Sequence, residues 1–429
     1  MIASPLIPPL LECPPFIDLN STTSTRVLYR LPSTGRDTHP PCQSHCASTT
    51  RNQMSGDIEG QQSGKTALCQ RCHEEAATHQ IRSDGICTKC FVAYVTTKAI
   101  KRMETYKIRG TTKTARRLLF PLSFGPSSAS LLHILDQHIQ GQYLRMNRAS
   151  YELFVVHINL YVDPVDRKDA DLLLEKYQSR FPRHTYSTLN LEDALLLEGI
   201  DWKALKMEEP LNTQNPADKL QALLGSMSSA TSRSDIVSTL LTRLLVDVAK
   251  KSECESILFG DSTTRLAEKT LTETAKGRGF SLPWQVSDGA LSYGIAFNYP
   301  LRDLLKKEIQ TFSSLTTPPL TDLVINQKSS SHISASSKTT TIDDLMAQYF
   351  ETVEENFPSI VANVVRTTSK LKPLPDEDTT SCGLCGLPVA KGTDGIYGWG
   401  GDQNTCSQPT EEKLHHGILC YGCSRSINS

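Results

Sequence analysis

The residues best equipped for chemistry are cysteines. Of 13 in the chain, eight fall into four C-x-x-C pairs: Cys69/Cys72, Cys87/Cys90, Cys382/Cys385 and Cys420/Cys423. One such pair aims two thiolates at a single point, and two pairs close a tetrahedron, the arrangement zinc prefers. Fourteen residues separate Cys72 from Cys87, and Asp84-Gly85 among them suits the turn of a small β-hairpin. Thirty-four residues separate Cys385 from Cys420, a Gly-rich stretch holding Cys406, His415 and His416 as substitute ligands. Two structural zinc sites are therefore expected, since four thiolates leave no open position for catalysis. Iron–sulfur and redox chemistry are the competing uses of the same pairs. Modules this small have little core of their own, so a bound metal would supply most of their stability. Free thiolates also imply a reducing, intracellular setting. Of the remaining cysteines, Cys254 opens an apolar run and reads as a buried residue, and Cys13, Cys42 and Cys46 lie in a polar tail.

A second candidate is the loop Ser123-Phe124-Gly125-Pro126-Ser127-Ser128, which joins an apolar run to a segment of helical periodicity. Nucleotide folds place an anion site there, using backbone N–H groups and the helix dipole. The loop resembles the S-G-G-x-D-S signature of the PP-loop, or adenine-nucleotide alpha-hydrolase, family. Ser123, Gly125, Pro126 and Ser128 match in register, whereas Phe124 replaces the first glycine and Ser127 the aspartate. A side chain at position 124 crowds backbone that would approach phosphates, and loss of the carboxylate removes a partner for Mg²⁺. ATP turnover is not expected at this loop, which reads as inherited with the fold.

These residues need elements to position them. Arg117–Leu122, Leu153–Ile158 and Ser256–Gly260 read as strands, and Ser128–Ile139, Ala170–Arg180, Asp235–Lys251 and Thr263–Lys276 as helices. Strand–helix alternation implies an α/β fold, a parallel sheet with helices on both faces. Residues 185–232 read as an insertion that is partly a mobile loop, 314–340 as a Ser/Thr-rich linker or loop, and Ile342–Thr367 as a helix. The expected organisation is a disordered tail (1–64), a cysteine module with a basic helix (65–110), a degenerate PP-loop domain (115–325), a linker with a helix (326–380) and a second cysteine module (381–429). Met54 is an alternative start, and the apolar, proline-containing first residues lack the basic start of a secretory signal. The 429 residues carry a formal net charge of −1, so any attraction to nucleic acid must be local. No apolar run reaches the ~18 residues of a membrane span.

One local basic stretch exists: Lys98, Lys101, Arg102, Lys107, Arg109, Lys113, Arg116 and Arg117 are opposed in sequence only by Glu104. It could neutralise several phosphates of an RNA backbone without reading sequence. Arg265, Arg278 and Trp284 are weaker candidates for the same role.

Four features in order, C-x-x-C…C-x-x-C, S-x-G-P-S-S, Gly260-Asp261-Ser262-Thr263-Thr264-Arg265-Leu266-Ala267 and C-G-L-C…C-x-x-C, resemble the cytoplasmic tRNA 2-thiolation protein 2 family over residues 65–425. The resemblance implies a PP-loop-like sheet flanked by two zinc modules, in the cytoplasm. It also implies a catalytic tRNA 2-thiolation subunit as heterodimer partner. Together the pair would thiolate C2 of the wobble uridine in tRNAs for lysine, glutamate and glutamine, with sulfur from a thiocarboxylated ubiquitin-related modifier. In that chemistry ATP adenylates the uridine O2 and sulfur then attacks C2. With its altered loop and one cysteine in the core domain, this chain is expected to bind tRNA and shape the site rather than react. The alternatives are an autonomous ATP-dependent PP-loop enzyme and a zinc-stabilised scaffold that does not touch RNA.

Overall fold

The computed structural model describes residues 67–81, 83–107, 114–160, 164–205, 215–289, 291–325, 339–373, 379–390 and 419–428. The tail at 1–64, residues 326–338 of the Ser/Thr-rich segment, and Cys406, His415 and His416 lie outside them.

The chain opens with the hairpin β1 (His79–Ile81) and β2 (Asp84–Ile86), then α1 (Thr88–Arg102). Asp84 and Gly85, expected in the turn, are instead the first residues of β2, where Gly85 faces Ala77 too closely for an unshifted side chain. There follow β3 (Arg116–Pro121), α2 (Pro126–Met146), β4 (Tyr151–Asn159), α3 (Pro164–Arg180) and β5 (Thr185–Asn190). Next come α4 (Pro216–Ser226), α5 (Ala230–Lys251), β6 (Ser256–Leu258), α6 (Thr263–Ala275), α7 (Leu282–Gln285), β7 (Ala296–Asn298) and α8 (Lys306–Leu315). Helices α9 (Ile342–Asn356) and α10 (Pro358–Thr368), strands β8 (Thr379–Ser381) and β9 (Pro388–Ala390), and α11 (Tyr421–Asn428) complete it.

Five strands form one sheet in the order β5-β4-β3-β6-β7, and every neighbouring pair is parallel. The chain leaves β3 towards β4 and β5, then returns to β3's other side for β6 and β7. The switch point thus lies between β3 and β6, where open α/β sheets bind their ligands at the carboxyl ends of the strands.

Alternation along the strands divides the interior in two. Leu118, Phe120, Leu153 and Val155 enter one core with residues of α1, α2 and α8. Leu119, Phe154, Val156 and Ile257 enter the other with residues of α5, α6 and α10. Cys69 and Cys87 belong to the first core, and Cys382, Cys385, Cys420 and Cys423 to the second. Each cysteine module therefore packs on a different face of the sheet.

Two readings change. Thr185–Asn190, placed in an insertion, is the edge strand β5, paired with β4 from Phe154↔Thr185 to Asn159↔Asn190. The helix expected over Ile342–Thr367 is two, broken at Phe357-Pro358, because proline disfavours helical backbone in the residue before it and starts a new helix well. Among the described residues no helix is long and apolar enough to cross a membrane.

Candidate functional site

In the N-terminal module, Cys69 and Cys72 sit on a turn that ends at His73 in left-handed backbone (φ 60°). Cys87 caps the N-terminus of α1, its sulfur accepting the N–H of Cys90 at 3.5 Å, and the Arg71 N–H reaches Cys69 Sγ at 3.4 Å. The four sulfurs lie within 4.8 Å of one another, Cys72 and Cys87 at 3.8 Å. In the C-terminal module Cys382 and Cys385 lie between β8 and β9, and Cys420 and Cys423 at the start of α11. All four are buried, also within 4.8 Å, with Cys385 and Cys420 at 3.9 Å. The N–H of Cys420 reaches Cys382 Sγ at 3.3 Å, and that of Cys423 reaches Cys420 Sγ at 3.4 Å.

A single tetrahedral ion with metal–sulfur bonds of about 2.3 Å sets its sulfurs about 3.8 Å apart. The Cys72–Cys87 and Cys385–Cys420 pairs meet that spacing, and the other sulfurs of each centre lie within 4.8 Å. A four-iron cluster, with each thiolate on its own iron, needs its sulfurs spread much further. The crowding of the thiols shows in their titration. In the C-terminal centre, hydrogen bonds from the other three cysteines pull the Cys382 thiol strongly down, and the same crowding pushes Cys385 up. Four thiols cannot all ionise side by side without a metal to share.

The loop Ser123–Ser128 lies at the end of β3, on the switch point. Gly125 caps α2 and Pro126 is its first residue. A side chain on Gly260, which follows β6, would meet Ser128 N at 3.2 Å, so the two loops close against each other. Phe124 adopts left-handed backbone (φ 56°), the conformation a glycine would hold there without strain. Its ring does not cross the loop mouth. It turns inward and is 1% exposed, stacked on His157 at 4.1 Å and Tyr177 at 5.4 Å. Burial lowers the pKa of His157, whose ring meets the Leu122 carbonyl and Asn159 Oδ1. Ser128 turns its hydroxyl to the Gly125 carbonyl at 3.1 Å and lies 3.2 Å from the Ser123 hydroxyl. Those two hydroxyls are thus engaged within the loop, and Ser127 offers no carboxylate beside them.

The basic stretch is not a uniform surface. Arg102 pairs with Asp303 at 2.6 Å and Asp288 at 3.5 Å, Lys107 with Glu104 at 3.0 Å, Arg116 with Glu255 at 3.2 Å and Arg117 with Glu152 at 3.8 Å. Most of those carboxylates come from distant sequence, which is why local counting missed them. Arg109 and Lys113 lie outside the described residues. Lys98 and Lys101 remain, and the fold adds Arg71. Its guanidinium sits 4.9 Å from the centre of the Tyr94 ring, with the Lys98 ammonium 5.8 Å from the same ring. The signal for Arg71 was a basic residue inside a C-x-x-C pair. Arg278 and Trp284 are buried, and Arg265 pairs with Glu268 at 3.0 Å.

The family model of cytoplasmic tRNA 2-thiolation protein 2 matches residues 341–425. A protein of that name from Sclerotinia sclerotiorum is 63% identical over 73% of this chain and 84% of its own length. Another, from Phaeosphaeria nodorum, is 48% identical over 85% of this chain and 96% of its own. The chain belongs to the cytoplasmic tRNA 2-thiolation protein 2 family. Among solved structures, the U34-tRNA thiolase NcsA from Methanococcus maripaludis, described with its [4Fe-4S] cluster, covers 76% of this chain and 92% of its own at a TM-score of 0.50. At 15% identity that likeness concerns the fold alone, the parallel sheet with helices on both faces. The family's name ties it to 2-thiolation of tRNA in the cytoplasm.

Proposed function

We propose that this chain is the tRNA-holding, zinc-stabilised partner of a catalytic PP-loop subunit in a heterodimer that 2-thiolates the wobble uridine of tRNAs for lysine, glutamate and glutamine. Sulfur comes from a thiocarboxylated ubiquitin-related modifier, and ATP is used on the other subunit. The observation that carries this is the switch-point loop, where Ser127 supplies no carboxylate for Mg²⁺ and the Ser123 and Ser128 hydroxyls face each other. Cys254, the one other cysteine among the described residues, is buried at the start of β6 and alone, so no pair supports persulfide or cluster chemistry in the sheet domain.

Zinc is the ion proposed for both centres, since four sulfurs within 4.8 Å, one pair in each centre at 3.8 or 3.9 Å, suit a closed tetrahedral site. The tRNA surface is proposed at Arg71, Lys98 and Lys101, with Arg109 and Lys113 as further candidates from the sequence. Arg102, Lys107, Arg116 and Arg117 of the stretch are drawn into ion pairs within the chain. The test is pyrophosphate exchange into ATP by the chain alone and with a PP-loop partner that retains S-G-G-x-D-S. Exchange appears only with the partner. Exchange by the isolated chain would sink the proposal.

A further inference from the structure

Arg278 lies on the turn after α6 and is 3% exposed. Its guanidinium makes a two-pronged ion pair with Asp235 of α5, one prong at 2.7 Å. The nitrogen on the second prong also points at Cys423 Sγ, 3.8 Å away. Asp235 in turn takes the Ser426 hydroxyl of α11 and lies 3.4 Å from Lys276, which reaches Asp343 at 2.8 Å. Glu273 lies 3.7 Å from Arg278 and accepts from Gln285. The backbone is shaped for this contact. Gly422, between Cys420 and Cys423, lies so close to the Arg278 side chain that a Cβ there would collide with it. Gly277, at φ 77°, leaves room for the Tyr421 ring.

Four thiolates around a divalent ion leave a doubly negative centre, here buried where water cannot screen it. A guanidinium donating to one sulfur, and itself oriented by a carboxylate, is the outer-shell arrangement that tunes metal sites. The N-terminal centre is built differently. Cys72 and Cys90 are only half-buried, and among the described residues no arginine or lysine side chain donates to its sulfurs.

We propose that Arg278, held by Asp235, is a positioning residue for the C-terminal metal centre through Cys423, and that this makes the C-terminal metal slow to leave while the N-terminal metal exchanges readily. The proposal rests on both centres holding a metal. Metal analysis of the unaltered full chain tests that premise separately, and less than one equivalent per centre would defeat the premise rather than the role of Arg278.

The experiment is metal release from the full-length chain to a chromogenic chelator. The wild-type protein releases metal in a fast and a slow phase, and C90S removes the fast one. R278Q accelerates the slow phase by about 10- to 100-fold, the usual cost of losing an outer-shell partner, and leaves the fast phase unchanged. The double variant D235N/R278Q leaves neither member of the ion pair charged, and it still releases quickly although its circular dichroism is that of wild type. R278K keeps the charge but lacks the planar fork that serves Asp235 and Cys423 together, so it releases at an intermediate rate, and its retained charge keeps the reading independent of any loss of fold in R278Q. With cobalt in place of the native ion, the thiolate-to-metal absorption band of the C-terminal centre shifts in R278Q and R278K. A mere packing role would not move that band. A slow phase and a cobalt band unchanged in R278K, with either unchanged in R278Q or the double variant, overturn the proposal.

Discussion

Replacing Phe124 separates two effects that ordinarily act together. The ring is buried against His157 and Tyr177, so truncation to alanine removes a large aromatic contact and costs about 3–5 kcal/mol. The backbone, however, is left-handed at φ 56°. At an ordinary core position glycine is worse than alanine by about 0.4–1 kcal/mol, through its freer unfolded chain. Where φ is positive the order reverses, because the Cβ itself is strained, by about 1 kcal/mol or more in favour of glycine. F124G should therefore be the more stable of two destabilised variants, a swing of about 1.5–2 kcal/mol relative to an ordinary site. Chemical denaturation of F124A and F124G, followed by circular dichroism at matched temperature, reads the difference directly. If F124G unfolds at lower denaturant than F124A, the loop does not hold the glycine-like conformation, and the account of its descent from a phosphate loop fails with it.

Glu354 of α9 is 4% exposed and accepts from the Thr264 hydroxyl at 2.7 Å and the Lys307 N–H at 2.9 Å, joining the starts of α6 and α8. E354A should cost about 2–4 kcal/mol in thermal or chemical unfolding, by stranding both donors. Reversing Arg71, Lys98 and Lys101 together should weaken tRNA retention by the complex and reduce the slope of log K against log salt by about 2–3, and unchanged filter binding across salt would exclude that surface. Burial lowers the His133 pKa to about 4 from 6.5. The unfolded chain then binds the extra proton between those values, so this contribution is complete above pH 6.5 and lost as pH falls towards 4. Urea midpoints of H133F should accordingly fall less than wild type between pH 7 and 4.5. Serine at Cys385 should abolish soluble expression, whereas serine at Cys72, which is half-buried, should leave the sheet domain folded as judged by proteolysis.

Much of this architecture is legible in sequence because apolar runs and paired cysteines are local signals. Leu118–Phe120 and Leu153–Val156 announce buried strands, and four C-x-x-C pairs announce two tetrahedra. What escaped was set by tertiary context. β5 reads Thr-Tyr-Ser-Thr-Leu-Asn because an edge strand has one neighbour and is half open to water, so its composition matches a loop. The ion pairs of Arg102 and Arg116 span 201 and 139 positions, out of reach of any local charge count. Arg278 looked like a surface residue because nothing nearby in sequence reveals the carboxylate at Asp235. The inward turn of Phe124 was equally hidden, since it depends on a cavity formed by β4 and α3.

The packing of Cys382, Cys385, Cys420 and Cys423 into one face of the sheet has a consequence for synthesis. Ser426 follows Asp235 by 191 positions, yet both belong to the same buried cluster. The opposite face draws on α1, α2 and α8 and can close while the ribosome is still working. The α5–α6 face keeps a bare apolar surface until Cys420 and Cys423 have emerged and packed against it. Until then that surface is open to non-native contacts.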